Sequence, residues 1–231
     1  TRRSSDLSQS LYKNLRYDLK RDFDAITLIG SAPFVLVVHA AAPVKSPRDL
    51  ISLGKSRPGQ LTYASAGNGS PSHLVGEMFR MQAGIQLLHV PYKGSVQGIT
   101  DVVSGFVSLT FANTLSVLPL VKSGRLRALA ITSAKRSAIA PGLPTLSESG
   151  LPGFEGVTWF SLLAPKGTPP DIVRKLNTDI VRVLNTPDVR NGIEAQGNTV
   201  SPGTPEEFER FIAAEIAKWR KVIASAGIKI E

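Results

Sequence analysis

The chain has 231 residues, of which 42% are hydrophobic and 19% charged; this suits one large globular domain or two small lobes with their own cores, not a disordered tail. Its net charge of +9 divides thinly, as +5 over residues 1–57, +3 over 58–164 and +1 over 165–231, and only 6% of residues are aromatic, which argues against a nucleic-acid surface. The absence of cysteine excludes disulfides and thiolate metal sites, and the most apolar stretch, 34–44, is too short and too interrupted by His39 and Pro43 to cross a bilayer.

From the N-terminus, Thr1-Arg2-Arg3 runs into polar residues with no apolar segment, so no export leader is visible in the sequence. Residues 25–38 (AITLIGSAPFVLVV) are rich in β-branched and apolar types and predict one or two buried strands broken at Ser31-Ala32-Pro33. Residues 47–56 predict a short helix that Pro58-Gly59 ends. A strand, loop, helix pattern then repeats. Leu61–Ala64 is a strand, the turn Gly67-Asn68-Gly69-Ser70-Pro71-Ser72-His73 follows, and 72–82 is a helix with Leu74, Val75, Met78 and Phe79 on one face before Gly84. Leu87–Val90 is the next strand, followed by Pro91-Tyr92-Lys93-Gly94-Ser95 and a helix to Val103. Phe106–Phe111 is a third, with Asn113-Thr114 capping a helix that ends at Gly124, and Arg125–Thr132 is a fourth. Strands alternating with helices at this spacing predict an α/β fold with right-handed crossovers and a mostly parallel sheet.

From Lys166 onward three helices are announced by proline at the first helical position, in Thr168-Pro169, Thr186-Pro187 and Thr204-Pro205. Glu207 completes a capping box with Thr204. The helix that follows carries Phe208, Phe211, Ile212, Ile216, Trp219 and Ile223 at helical spacing as a core face, and Gly227 ends it. A short strand near Asn198–Val200 lies between the last two helices.

In a parallel α/β sheet the strand-to-helix loops leave one edge, so loops 65–73, 91–95 and 112–116 should converge on one crevice. A helix start at Ser70, with Gly67 and Gly69 free to take positive φ, offers backbone N–H groups to an anion such as a carboxylate. Ser65, Asn68, Ser70 and Ser72 add neutral donors, as do Tyr92 and Asn113 from the neighbouring loops, and Lys93 is the one cation in the loop set. A plain capped turn and a solvated loop lysine account for the same residues equally well. Sharper chemistry is not indicated. The turn lacks the third glycine of a dinucleotide fingerprint and the Gly-Lys-Ser/Thr of a phosphate loop. Ser70 or Ser72 beside His73 is not set in a Gly-x-Ser-x-Gly elbow, so neither catalytic residues nor a cofactor is expected. His39, His73 and His89 lack the spacing of a zinc helix, so no metal site is expected either, and His39 and His89 are placed near strand ends.

The segments YASAGNGSPSHL, HVPYKGS, GRLRALAITSAKRS, PTLSESGLPGFEGVTWFSLLAPKGTP and EIAKWRKVIASAGIK resemble, in this order and spacing, the substrate-binding proteins of tripartite tricarboxylate transporters, the Bug or TctC-like family. The likeness runs from about Ser10 to Glu231. It implies a periplasmic binding protein of type II-like, Venus-flytrap architecture: two lobes with mostly parallel sheets and a two-strand hinge near Pro33-Phe34 and Trp159-Phe160. By this resemblance residues 1–34 are a remnant of the first lobe, 35–163 form the second, and 164–231 return to the first. The ligand-contacting positions it implies are Ala66, Gly67, Asn68, Ser70, His73, Lys93, Gly94, Ser95 and Asn113. Where the family usually reads Phe-Asp-Asn, this chain has Phe111-Ala112-Asn113, which affects any ligand group that an acid would accept from.

Residues Thr1–Asp18 align after the family's first strand and its Pro-Phe-Pro-Ala-Gly-Gly loop, so the first lobe is expected to be incomplete and helices 169–185 and 205–226 to lack part of their cover. The implied function is capture of a small carboxylate in the periplasm for a membrane permease, by a monomer without nucleic acid, cofactor or catalytic act. The alternative is a regulatory binding protein that passes a ligand signal to a signalling partner.

Overall fold

The computed structural model describes residues 17–228; the expectation for residues 1–16 lies outside the described residues. The chain divides into two units, one of Thr1–Ala32 with Thr158–Glu231 and a second of Pro33–Val157. The chain passes between them at two points, within strand β1 (Phe23–His39) and at the start of β6 (Val157–Pro165). Residues 158–163, placed in the second lobe by the resemblance, group with the first unit.

In the second unit the strands β2 (Leu61–Ser65), β3 (Leu87–Pro91), β4 (Leu109–Asn113) and β5 (Leu126–Ile131) join β1 in the order β3-β2-β4-β1-β5. β2 is parallel to β3 and β4, whereas β1 runs antiparallel to β4 and β5. The C-terminal half of β1 is central, and Val35, Leu36 and Val37 are each 0% exposed, which is why its sequence is an unbroken apolar run instead of an alternating one. The predicted break at Ser31-Ala32-Pro33 does not occur. β1 changes partners there instead, from the first unit at Gly30 and Ser31 to β4 at Phe34, and Pro33 falls where no ladder N–H is required.

The helices α1 (Pro47–Ser56), α2 (Pro71–Ala83), α3 (Ser95–Val103) and α4 (Thr114–Lys122) complete this unit. Neighbouring residues of β2 point to opposite faces of the sheet: Tyr63 lies against Gly76 of α2, and Ala64 against Gly98 of α3. On the α3 side Val35, Val37, Ala64, Ile99, Val102 and Val117 form one apolar cluster. β4 begins three residues later than the predicted Phe106. Gly105 at φ 78° ends α3, and the N–H of Phe106 donates back to the Asp101 carbonyl, leaving the Phe106 side chain 80% exposed in the turn.

In the first unit the N-terminal half of β1 pairs with β6 and with β7 (Thr199–Val200). Helix α7 (Pro205–Ala226) buries Phe208, Ile212 and Ile216 with Leu19 and Ala25, and the Trp159 ring meets Phe208 and Phe211 edge-on at 5.9 and 5.6 Å. The expected loss of cover for this helix is therefore not seen. Helix α5 (Pro170–Leu184) differs, since Leu184 is its one buried residue while Ile172 and Val183 are each 50% exposed. Pro169 occupies its cap and Pro170 its first turn, one residue beyond the prediction.

α6 (Pro187–Glu194) precedes β7, and the capping box of α7 is complete: the Thr204 hydroxyl accepts from the Glu207 N–H and the Glu207 carboxylate from the Thr204 N–H. Thr204→Ala is expected to destabilise the first unit by about 1 kcal/mol. Urea unfolding followed by the fluorescence of Trp159 and Trp219, the chain's two tryptophans, checks this, because both lie in that unit.

Candidate functional site

Because β2, β3 and β4 are parallel, the segments after them leave the same edge of the second unit's sheet, as the sequence predicts. The first two are also stitched together, since the Tyr92 N–H donates to the Ser65 carbonyl at 3.1 Å. Gly67 and Gly69 take φ of 120° and 71°, and a Cβ on Gly67 would stand 3.1 Å from the Tyr92 carbonyl oxygen, so both glycines are required by the turn itself.

The turn's amides differ from the expectation of an open helix start at Ser70. The Ala66 N–H donates to Ser72 Oγ, Gly67 to Ser65 Oγ, Gly69 to His73 Nδ1, Ser70 to the Gly67 carbonyl, and His73 to Ser70 Oγ. The side chains that looked like ligand donors thus satisfy the backbone first. The N–H groups of Asn68 and Ser72 have no protein acceptor among the described residues, and the Asn68 side chain is exposed.

The less capped helix start is that of α3. Its cap residue Gly94 has no side chain to offer, and the N–H groups of Ser95, Val96 and Gln97 have no acceptor among the described residues. Lys93 precedes it, exposed and without an ion pair among the described residues. From the third loop, the Asn113 side chain accepts from the Leu115 N–H at 3.1 Å, which commits its oxygen and leaves its amide NH2 exposed. Ala112 is 2% exposed within the apolar cluster on the α3 side. The Tyr92 hydroxyl, a predicted donor, is instead given to Asp101, and burial with this carboxylate pushes its pKa up to about 12.

Beneath the turn lies an arrangement that the sequence reading missed. His73, 6% exposed, stacks on His89 of β3 with ring centroids 3.9 Å apart, and His89 stacks on Tyr63 at 4.8 Å. His89 Nε2 is 2.6 Å from Ser65 Oγ. The Tyr63 hydroxyl donates to Glu77 at 2.6 Å, and Glu77 also takes the Arg80 guanidinium at 2.7 Å. Desolvation, with the neighbouring His73, pushes His89 down to about 4, and desolvation lowers His73 as well. The spacing of His73, Glu77 and Arg80 along one helix was visible in the sequence, but His89 joins them only through the pairing of Tyr63 with His89 between β2 and β3. His39 ends β1 as expected, and His89 sits in mid-strand.

The nine predicted contact residues therefore share one edge, with His73 below its surface, Asn113 at the end of β4, Ser95 at the start of α3 and the others in the turns. No group of three or more acidic, histidine or cysteine residues among the described residues is placed to hold a metal ion. No helix among them is long and apolar enough to cross a membrane. A cavity of about 400 Å³ in the first unit, lined by Phe23, Leu163, Ile212, Glu206 and Arg210 among others, involves none of the predicted residues.

Known proteins resemble this chain in sequence and fold. Residues 4–228 match the tripartite tricarboxylate transporter family receptor domain. BugT of Bordetella pertussis is 37% identical over 222 residues, covering 96% of this chain and 68% of its own length. Among solved structures, R. palustris Rpa4515 with adipate has a TM-score of 0.78 at 38% identity, covering 95% of this chain and 73% of that one. MatC from Rhodopseudomonas palustris with bound malate has a TM-score of 0.73 at 29% identity, covering 94% and 75%. The chain spans 63 to 68% of the length of the first four curated relatives it matches. A domain match over nearly the whole sequence, a curated relative above one-third identity and solved structures of the same α/β fold agree on one assignment: the chain belongs to the tripartite tricarboxylate transporter receptor family.

Proposed function

We propose that this chain captures a small carboxylate in the periplasm and presents it, as a monomer, to the permease of a tripartite tricarboxylate-type transporter. The observation that carries the reading is the uncapped first turn of α3 beside the exposed Lys93, on the edge where Asn68 and Asn113 also stand. Backbone N–H groups at a helix start, with the dipole and a nearby ammonium, favour an anion, and neutral amides shape the rest around oxygen atoms. The relatives solved with adipate and with malate support a dicarboxylate as ligand class. Gly94 and Ser95 would supply the backbone donors of this site, Ala66, Gly67 and Ser70 the internally bonded turn that frames it, and His73 would act from beneath it.

Titration calorimetry against adipate and malate tests the proposal. Saturable heat is expected with at least one of them, and Lys93→Ala is expected to weaken it about fivefold, equivalent to ~1 kcal/mol. A folded protein that gives neither heat nor a thermal shift with either acid, or a Lys93→Ala variant that binds as tightly, would count against this assignment.

A further inference from the structure

We propose that His73 and His89 are a stacked positioning pair that holds the β2–α2 turn in its capture-ready shape, so that acid loosens the turn and weakens ligand capture. This inference rests on the carboxylate-binding reading for its functional consequence, but its structural part stands on the second unit alone.

The turn hangs on few acceptors. Gly69, at φ 71°, gives its N–H to His73 Nδ1 at 3.0 Å. That bond requires Nδ1 to be unprotonated, which puts the ring's proton on Nε2. The other end of the turn is anchored through Ser65, whose hydroxyl accepts the Gly67 N–H and contacts His89 Nε2. Protonation affects the two ends differently. A second proton on His73 turns Nδ1 into a donor facing the Gly69 N–H, so that bond is lost and two donors oppose each other. His89 can carry a second proton and still donate to Ser65, but a charge on either of two rings 3.9 Å apart disfavours a charge on the other.

The surroundings reinforce the neutral state. α2 contributes Glu77 and Arg80, which are paired with each other; β2 contributes Tyr63, whose hydroxyl donates to Glu77; and β3 contributes His89 itself. β4, which also packs against α2, places Phe111 against Phe79. The Glu77 charge favours the imidazolium, yet burial outweighs it for both rings. Both histidines are thus held below their ordinary value of about 6.5, His89 at about 4. Between those values the unfolded chain binds more protons than the folded one. Stability from His89 is therefore fully present above about pH 6.5 and is lost as pH falls toward about 4, and His73, shifted in the same direction, adds to the loss on the acid side.

The test is nuclear magnetic resonance on the whole chain from pH 7.5 to 4, following the imidazole nitrogens, the Gly69 amide shift and its exchange protection. Gly69 protection is expected to fall at least about tenfold as His73 titrates, before amides of the buried β1 strand lose theirs. His73→Asn, whose side-chain oxygen can take the place of Nδ1, is expected to keep Gly69 protected with no step in pH. His73→Leu is expected to lose that protection at every pH. An adipate titration at each pH adds the functional readout: the wild-type to H73N affinity ratio should fall about tenfold across the His73 titration followed by the imidazole nitrogens, a comparison that cancels the ligand's own protonation.

A Gly69 amide that ignores the His73 titration, stays protected in H73L, or opens only together with the β1 core would overturn the proposal. So would a constant affinity ratio between wild type and H73N. If neither adipate nor malate binds at neutral pH, the carboxylate reading fails, and the Gly69 measurements still decide whether the pair shapes the turn.

Discussion

Glu77→Leu is expected to destabilise the second unit by about 3 kcal/mol, the largest effect of any single change considered for this chain. Glu77 is 6% exposed and holds two partners, the hydroxyl of Tyr63, itself 0% exposed, and the guanidinium of Arg80. Removing the carboxylate leaves a buried hydroxyl unsatisfied, which costs about 1–3 kcal/mol, and deprives a partly buried cation of its counter-charge. The Arg80 side chain is 31% exposed, so water recovers part of that second loss, which places the total at the low end of the range for breaking a buried pair. Two milder variants separate the contributions. Glu77→Gln keeps an oxygen for Tyr63 and loses only the ion pair, and Tyr63→Phe keeps the ion pair and loses only the hydroxyl; each is expected to cost about 1 kcal/mol. Urea unfolding by far-ultraviolet circular dichroism, with exchange protection of the β2 and α2 amides, measures all three. A loss below about 1 kcal/mol in E77L would show that the triad is not a stabilising centre.

Gly76→Ala sets two effects against each other, and their sizes decide the outcome. In the interior of α2, alanine should gain about 1 kcal/mol over glycine from helix propensity. Against that, a Cβ at this position would lie 2.3 Å from Cε2 and 2.8 Å from Cδ2 of the Tyr63 ring. Overpacking of this kind commonly costs about 1–3 kcal/mol, and more where the neighbour cannot move. Tyr63 is such a neighbour. Its hydroxyl is tied to Glu77, its face is covered by His89, and the residue has no exposed surface. A net loss of about 2 kcal/mol is expected. A double-mutant cycle gives the check: in a Tyr63→Leu background the same substitution should become neutral or stabilising, because the ring it would strike is gone. A loss of equal size in both backgrounds would place the strain somewhere other than the ring.

Much of the fold was legible because the signals are local. α1 matches its predicted span of 47–56, since Ser46 caps it, Pro47 starts it and Pro58-Gly59 follows it. The α7 capping box and the glycine that ends the helix, Gly227 at φ 64°, were equally plain. The errors have physical causes. Phe106 read as strand because an apolar residue before Val107 looks like one, yet Gly105 closes α3 with a left-handed cap and turns Phe106 outward. Pro33 read as a break because a strand interior normally needs every N–H, which is not so where β1 exchanges one set of partners for another.

The sequence by itself determined the α/β alternation, the edge that carries the three loops and the family, because helix caps, turn glycines and apolar periodicity act within a few residues of one another. Only the tertiary structure decided what the loop residues do. Whether an amide is open depends on which acceptor reaches it, and Ser65, Ser72 and His73 reach those of the first turn while none among the described residues reaches the start of α3. The stacking of His73 on His89, 16 residues away in sequence, likewise exists only because β2 and β3 pair in register, and burial of both rings follows from that pairing instead of from either residue alone.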